Sequence, residues 1–292
     1  MTLTKNLAIA IAIAVCICWA ASVLPVYAIN ENLLLYLSFD SGDGKVASDL
    51  TGKTKGGVIN GGAKIVQGIR GKALQLDGES GYLEIELNPD MIEAERNSFT
   101  AELWLKTKAV APDIAVEQPV KRLRGYLVFG GYGPDEHFHG HWSMFLQNGG
   151  DLSFYTMNVN SHTSGGPQGV VADNTFHLND GEWHHIAAVR DEDAKEIRLF
   201  INGRLVGAEG ERNRSLNKAD GGRKHIWIGI HIPDHAEQTG TGFFPGTVDE
   251  VRFWNIAMTQ EDAARYMTLA VDPLEKLPVR WGKIKLKRVE GN

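Results

Sequence analysis

Apolar and polar residues alternate with a period of two along most of this chain. Ile197, Leu199 and Ile201 fall on one face of a strand, with Arg198 and Phe200 on the other. The runs Tyr82 to Leu87, Phe99 to Thr107 and Trp183 to Arg190 alternate or read as buried strands in the same way. Asn202-Gly203 separates two such runs, and this dipeptide suits the positive φ angles of a tight hairpin. Further strands are predicted at Leu33 to Phe39, Lys72 to Gly78, Tyr126 to Phe129, Trp142 to Leu146, Leu152 to Tyr155, Ile226 to Ile230 and Gly246 to Trp254. Turn-rich stretches such as Asp40 to Gly44 and Gly56 to Gly62 punctuate them. One short helix is expected near the end: Thr259 supplies a capping hydroxyl, Asp262 a carboxylate three residues on, and Ala263 to Met267 the continuation. The pattern therefore predicts an all-β fold, a two-sheet antiparallel sandwich with one C-terminal-side helix.

Several of these runs also resemble a known family. Gly181-Glu182-Trp183-His184-His185-Ile186-Ala187 leads into Leu199-Phe200-Ile201-Asn202-Gly203; Gly71 to Gly78, Ser98 to Lys106 and Phe244 to Asn255 carry further matching wording. Together, over about residues 31 to 270, they resemble the laminin-G-like, concanavalin-A-like lectin and glucanase domains. The resemblance implies a jelly roll whose ligands bind in loops or on the concave face. It also implies a structural calcium ion where an early loop meets a late strand.

Composition narrows the function. The chain has 292 residues and a formal net charge of -6, which argues against a nucleic-acid partner because phosphate binding needs a concentrated cationic surface. Lys5, the apolar run Leu7 to Ala21 and Val26-Tyr27-Ala28 read as a signal peptide cleaved after Ala28, which predicts a secreted or extracytoplasmic protein. If that segment stays uncleaved, it is the one expected membrane contact. Both cysteines, Cys16 and Cys18, lie inside it, so residues 29–272, the expected domain, hold no disulfide. After Pro273 the chain turns basic, and residues 273–292 read as an exposed tail around Trp281.

Candidate chemistry lies mainly in the turns. Asp40, Asp49 and Asp249 are the expected calcium ligands: Asp40 and Asp49 occupy Asp- and Gly-rich turns that can wrap a hard cation, and the resemblance adds Asp249. Both turn residues would otherwise serve as turn caps. Tyr132, His139, His141, Trp142, Asn158 and Phe243 are the expected ligand-binding residues, since aromatic rings stack on sugar faces while polar neighbours take the hydroxyls. His137, His139 and His141 would point the same way if extended, but the preceding Gly130 to Pro134 signals a polar loop. His184 and His185 must face apart in a strand, one packed and one partly exposed, so they describe scaffold and not an acid–base pair. Glu84 and Glu86 share a strand face and are the one credible carboxylate pair for a polysaccharide hydrolase. The expectation is a non-catalytic module for a glycan or an extracellular protein; a glycoside hydrolase and a structural adhesion module are the alternatives.

Overall fold

The computed structural model describes residues 30–41, 43–110, 126–132, 142–147, 149–156, 168–172, 176–210, 225–230 and 243–269. The expected signal segment, the basic tail, the His137 to His141 cluster and Asn158 lie outside the described residues.

Two antiparallel sheets of eight strands each form the sandwich. The first runs, in spatial order, β14 (Arg204–Gly210), β13 (Glu196–Ile201), β12 (Trp183–Asp191), β7 (Phe99–Lys106), β16 (Pro245–Trp254), β5 (Lys72–Asp77) and β4 (Lys64–Gln67), with β1 (Leu33–Leu37) paired to β16. The second runs β11 (Gln168–Val171), β10 (Leu152–Thr156), β9 (Trp142–Leu146), β8 (Tyr126–Tyr132), β15 (His225–Ile228), β6 (Tyr82–Glu86), β3 (Gly57–Asn60) and β2 (Val46–Ala47). The Asn202-Gly203 hairpin forms as expected: both residues have positive φ, 51° and 73°, and β13 pairs with β14 around them.

Alternation places the core. Leu103, Leu105, Ile186, Ala188 and Leu199 from the first sheet meet Leu83, Ile85, Ile226, Ile228 and Phe154 from the second, all fully buried. A second apolar cluster lies on the other face of the first sheet. There Ala187, Val189, Phe200 and Trp254 are covered by Met258 and by Ala263 of the helix Gln260–Leu269. That helix is capped as its sequence predicts. The Asp262 amide donates to the Thr259 hydroxyl at 3.2 Å, and the Thr259 amide donates to the Asp262 carboxylate at 3.0 Å.

A second helix, which the alternation analysis passed over, spans Pro89–Arg96; in chain order it is α1, and Gln260–Leu269 is α2. Its local signals are ordinary. The Asn88 side chain accepts from the Met91 amide, a proline opens the first turn, Asp90 stands at the positive end and Arg96 at the negative end. Strands β2, β3, β4 and β11 were also not expected individually; none exceeds four residues.

Strand β16 changes partner midway. Val248 pairs with Leu74 of β5, Val251 with Leu37 of β1, and the register against β7 slips between Asp249 and Arg252. Glu250 has φ 52° at this bulge. The extra residue turns Asp249 and Glu250 toward different neighbours, and both are buried.

Candidate functional site

The outward face of the second sheet gathers residues from strands far apart in sequence. Register places Val46, Val58, Glu84, Trp227, Gly130 and Ser143 in one row across β2, β3, β6, β15, β8 and β9. Their strand neighbours Ala47, Leu83, Ile85, Ile226 and Ile228 point into the core, so this row points away from it. Val46 and Val58 are exposed at 38% and 47%, and the Glu84 side chain keeps 32% of its surface. On either side of the row lie partly exposed aromatics. Tyr82 and Phe243 pack at 6.4 Å between ring centroids, and His225 stacks on Trp227 at 5.8 Å while its Nε2 sits 3.6 Å from Glu84. Farther along, the Tyr155 ring lies over Gly169, where a Cβ would meet it at 2.2 Å; only glycine admits the ring there.

Glu86, on the same face, pairs with Lys55 at 2.8 Å. The Lys55 hydrogen bond and charge hold its carboxyl below the usual glutamate range. A glycosidase acid needs the opposite shift.

The six expected ligand-binding residues fare differently. Phe243 stands on this face. Tyr132 supplies backbone to β8 opposite His225, and its side chain lies outside the described residues, as do His139, His141 and Asn158. Trp142 is a correction. It is fully buried, packed against Phe99 at 5.1 Å, Phe129 at 5.3 Å and Phe253 at 6.0 Å, and its indole N–H donates to Glu95 Oε1 at 2.7 Å. The pattern Trp142, Met144, Leu146 had set the period of β9 but not which side faced inward; the large ring took the core.

The three aspartates separate into a pair and an outlier. Asp40 Oδ1 accepts the Lys72 amide at 2.8 Å, and Asp249 Oδ2 accepts the Arg70 amide at 3.5 Å, so both carboxylates meet the turn after β4. Glycines let them approach: a Cβ on Gly71 would lie 2.0 Å from Asp40 Oδ1, and one on Gly68 would lie 2.4 Å from Asp249 Oδ2. Asp49 does not join them. Its oxygens accept from the Tyr36 amide at 3.0 Å, the Thr51 amide at 3.0 Å, the Thr54 amide at 2.8 Å and both threonine hydroxyls. It therefore organises its own turn. Among the described residues no group of three or more His, Cys, Asp and Glu side chains is arranged to hold a metal ion.

His184 and His185 face apart, as strand geometry requires. His185 is 1% exposed and meets Glu102, whereas His184 keeps 17% of its side-chain surface and binds Asp180 at 3.1 Å and Asn202 at 3.1 Å. Glu102 also accepts from Trp254 Nε1 at 2.9 Å and approaches Arg252 at 3.4 Å, and Arg252 binds Glu250 at 2.9 Å. The Tyr36 hydroxyl donates to Glu250 at 2.5 Å beneath the Arg252 guanidinium, which lies 4.5 Å from the ring centre. Burial first, then the Glu250 charge, pushes the Tyr36 hydroxyl well above its ordinary pKa, against the opposing Arg252 charge. Arg252 stays charged, because Tyr36, Glu102 and Glu250 outweigh the cost of its burial. This closed network is scaffold; every member is buried or nearly so.

The fold and this outward aromatic face define a jelly-roll β-sandwich of the kind that includes ligand-binding modules. The chain belongs to the concanavalin A-like lectin/glucanases superfamily, whose laminin-G model matches residues 77–264. Among solved structures it is similar to Domain 4 of AbnA, an extracellular arabinanase from Geobacillus stearothermophilus, in complex with arabinotriose. That match has 19% identity and a TM-score of 0.57, over 80% of this chain and 97% of that domain. It is also similar to the binding domain of Botulinum Neurotoxin DC in complex with SialylT, at 14% identity and a TM-score of 0.57, over 83% of this chain and 52% of that one. The binding domain of Paraclostridial Mosquitocidal Protein 1 matches at 17% identity and a TM-score of 0.56, over 81% and 52%. The chain thus spans about half the length of these toxin binding domains. Identities this low establish the fold alone. A search of curated proteins finds no match. No helix among the described residues is long and apolar enough to cross a membrane.

Proposed function

We propose that this chain is an exported, non-catalytic module that binds a glycan on the outward face of its second sheet. The observation that carries this reading is the pair of partly exposed rings, Tyr82 and Phe243, beside the His225 and Trp227 stack and the Glu84 carboxylate. Rings offer apolar area to a sugar face, and Glu84 and His225 offer an acceptor and a donor to its hydroxyls. The arabinotriose complex of the AbnA domain supports a sugar as the ligand class. Export rests on the signal-like residues 1–28, and a mature N-terminus at Ile29 is the expected result of protein sequencing.

The hydrolase reading needs Glu84 and Glu86 to divide the roles of acid and base. Glu86, held ionised by Lys55, is unsuited to be the acid. A glycan array probed with the purified chain tests the main reading. Binding to a defined set of sugars, lost in Tyr82→Ala, is expected; capture of a surface protein with no glycan bound would instead make this an adhesion module.

Calcium fits the Asp40 and Asp249 end of the fold. Two carboxylates flank one glycine-bearing turn, a hard-oxygen donor set that backbone carbonyls can complete. When bound, the ion would tie the turn after β4 to the bulge of β16. Asp49 is not part of this proposed site.

A further inference from the structure

The two long edges of the sandwich end differently. At one, β11 closes on β14, where a Cβ on Gly207 would meet the Val170 side chain at 2.6 Å and the Val171 carbonyl at 3.1 Å. At the other, the short edge strands β2 and β4 leave a cleft of about 300 Å³. Phe39, Val46 and Ile65 give it an apolar wall, and Ser41, Asp43 and Lys72 line it with a hydroxyl, a carboxylate and an ammonium. Phe39 holds φ 56° while only 3% exposed. A bulky residue rarely adopts that backbone, and such strained positions concentrate where ligands are clamped.

We infer that this cleft is a binding site for a single neutral sugar ring. Its volume sits at the small end of ligand pockets, about 300 to 1,000 Å³, which suits one ring and not a chain. The apolar wall matches the C–H face of a pyranose. Each sugar hydroxyl both donates and accepts, and the three polar residues supply both roles. One cation and one anion line the cleft, so a ligand with net charge gains nothing over a neutral one. The Asp43 carboxylate is fixed in place, because the amides of Lys45 and Val46 both donate to its Oδ1, at 2.9 Å and 3.2 Å, and hold the group ionised. This site stands independently of any glycan on the outward sheet face.

The test is an amide-resolved NMR titration of the full chain with free glucose, galactose, arabinose and N-acetylglucosamine. At least one sugar is expected to shift the signals of residues 41, 43, 46, 65 and 72 saturably, with the millimolar affinity usual for a ligand of about twelve non-hydrogen atoms. Ser41→Trp, a substitution at an exposed position, is expected to block the cleft and weaken binding at least tenfold. Asp43→Asn keeps an acceptor for the Lys45 and Val46 amides and is expected to weaken it about threefold. Absence of saturable shifts with all four sugars overturns the proposal, and so do shifts confined to Tyr82 and Trp227 or binding undiminished in both variants. A negative titration beside a positive glycan array removes the cleft and leaves the sheet face standing.

Discussion

Glu102 Oε2 lies 3.0 Å from His185 Nε2, on neighbouring strands of the first sheet, with the two side chains 0% and 1% exposed. Trp254 donates to the other oxygen of the same carboxylate, and Arg252 approaches it. Three separate sequence runs, Ala101 to Trp104, Trp183 to His185 and Asp249 to Trp254, are therefore joined at one buried group. This explains why those runs carry polar residues at positions where a strand would otherwise be apolar.

Replacing that carboxylate is expected to be costly. Glu102→Gln leaves Arg252 short of a buried counter-charge, and removing one partner of such a pair destabilises by about 3 kcal/mol. Urea unfolding at neutral pH measures this; a loss under about 1 kcal/mol would mean that the network contributes little.

The same residue sets a pH dependence. Burial works to raise the Glu102 pKa, but the His185 hydrogen bond and charge, with Arg252 and Trp254, bring it below its ordinary 4.5. The unfolded chain thus takes up this proton before the folded one as pH falls. The stabilisation is full at neutral pH and is lost progressively below about pH 4.5. The stability gap between wild type and Glu102→Gln is expected to narrow between pH 6 and pH 3, and a gap constant over that range contradicts the assignment.

Trp142 offers a test of core against ligand roles. Trp142→Ala is expected to cost about 3 to 5 kcal/mol, since it empties a site shared with Phe99, Phe129 and Phe253 and leaves Glu95 without its indole donor. Trp142→Phe is expected to be milder and to bind glycan as the wild type does. Selective loss of binding in a stably folded Trp142→Phe would return this residue to the ligand site.

For calcium, added ion is expected to raise the melting temperature and a chelator to reverse the rise. Asp249→Asn is expected to abolish the response. Asp49→Asn is expected to lower stability through its turn while leaving the calcium response intact. A calcium response that disappears in Asp49→Asn but persists in Asp249→Asn would invert the proposed ligand set.

On the outward face, Tyr82→Ala and Phe243→Ala are each expected to lower glycan affinity at least tenfold, about 1.4 kcal/mol or more. Both rings are partly exposed, so the melting temperature should fall only slightly. Unaltered array binding in both variants would move the site elsewhere on the fold.

Local pattern in the sequence was enough to fix the long strands, the Asn202-Gly203 hairpin, the Thr259 cap and the splitting of His184 from His185. Each of these depends on residues within a few positions of one another, where backbone sterics and a period of two act directly. The helix at Pro89–Arg96 was legible too, from Asn88 and Pro89, but was overshadowed by the strands around it. The two- to four-residue strands are too short for alternation to register. What only the tertiary structure decided was direction and company. A period of two does not say which side of β9 faces the core, and packing of large rings turned Trp142 inward. Nor does spacing along the chain say that Asp40 and Asp249 share a turn while Asp49 does not, or that Val46, Glu84 and Trp227 form one row. Those neighbours are made by strand order and register, which arise only when both sheets bury their inner faces together.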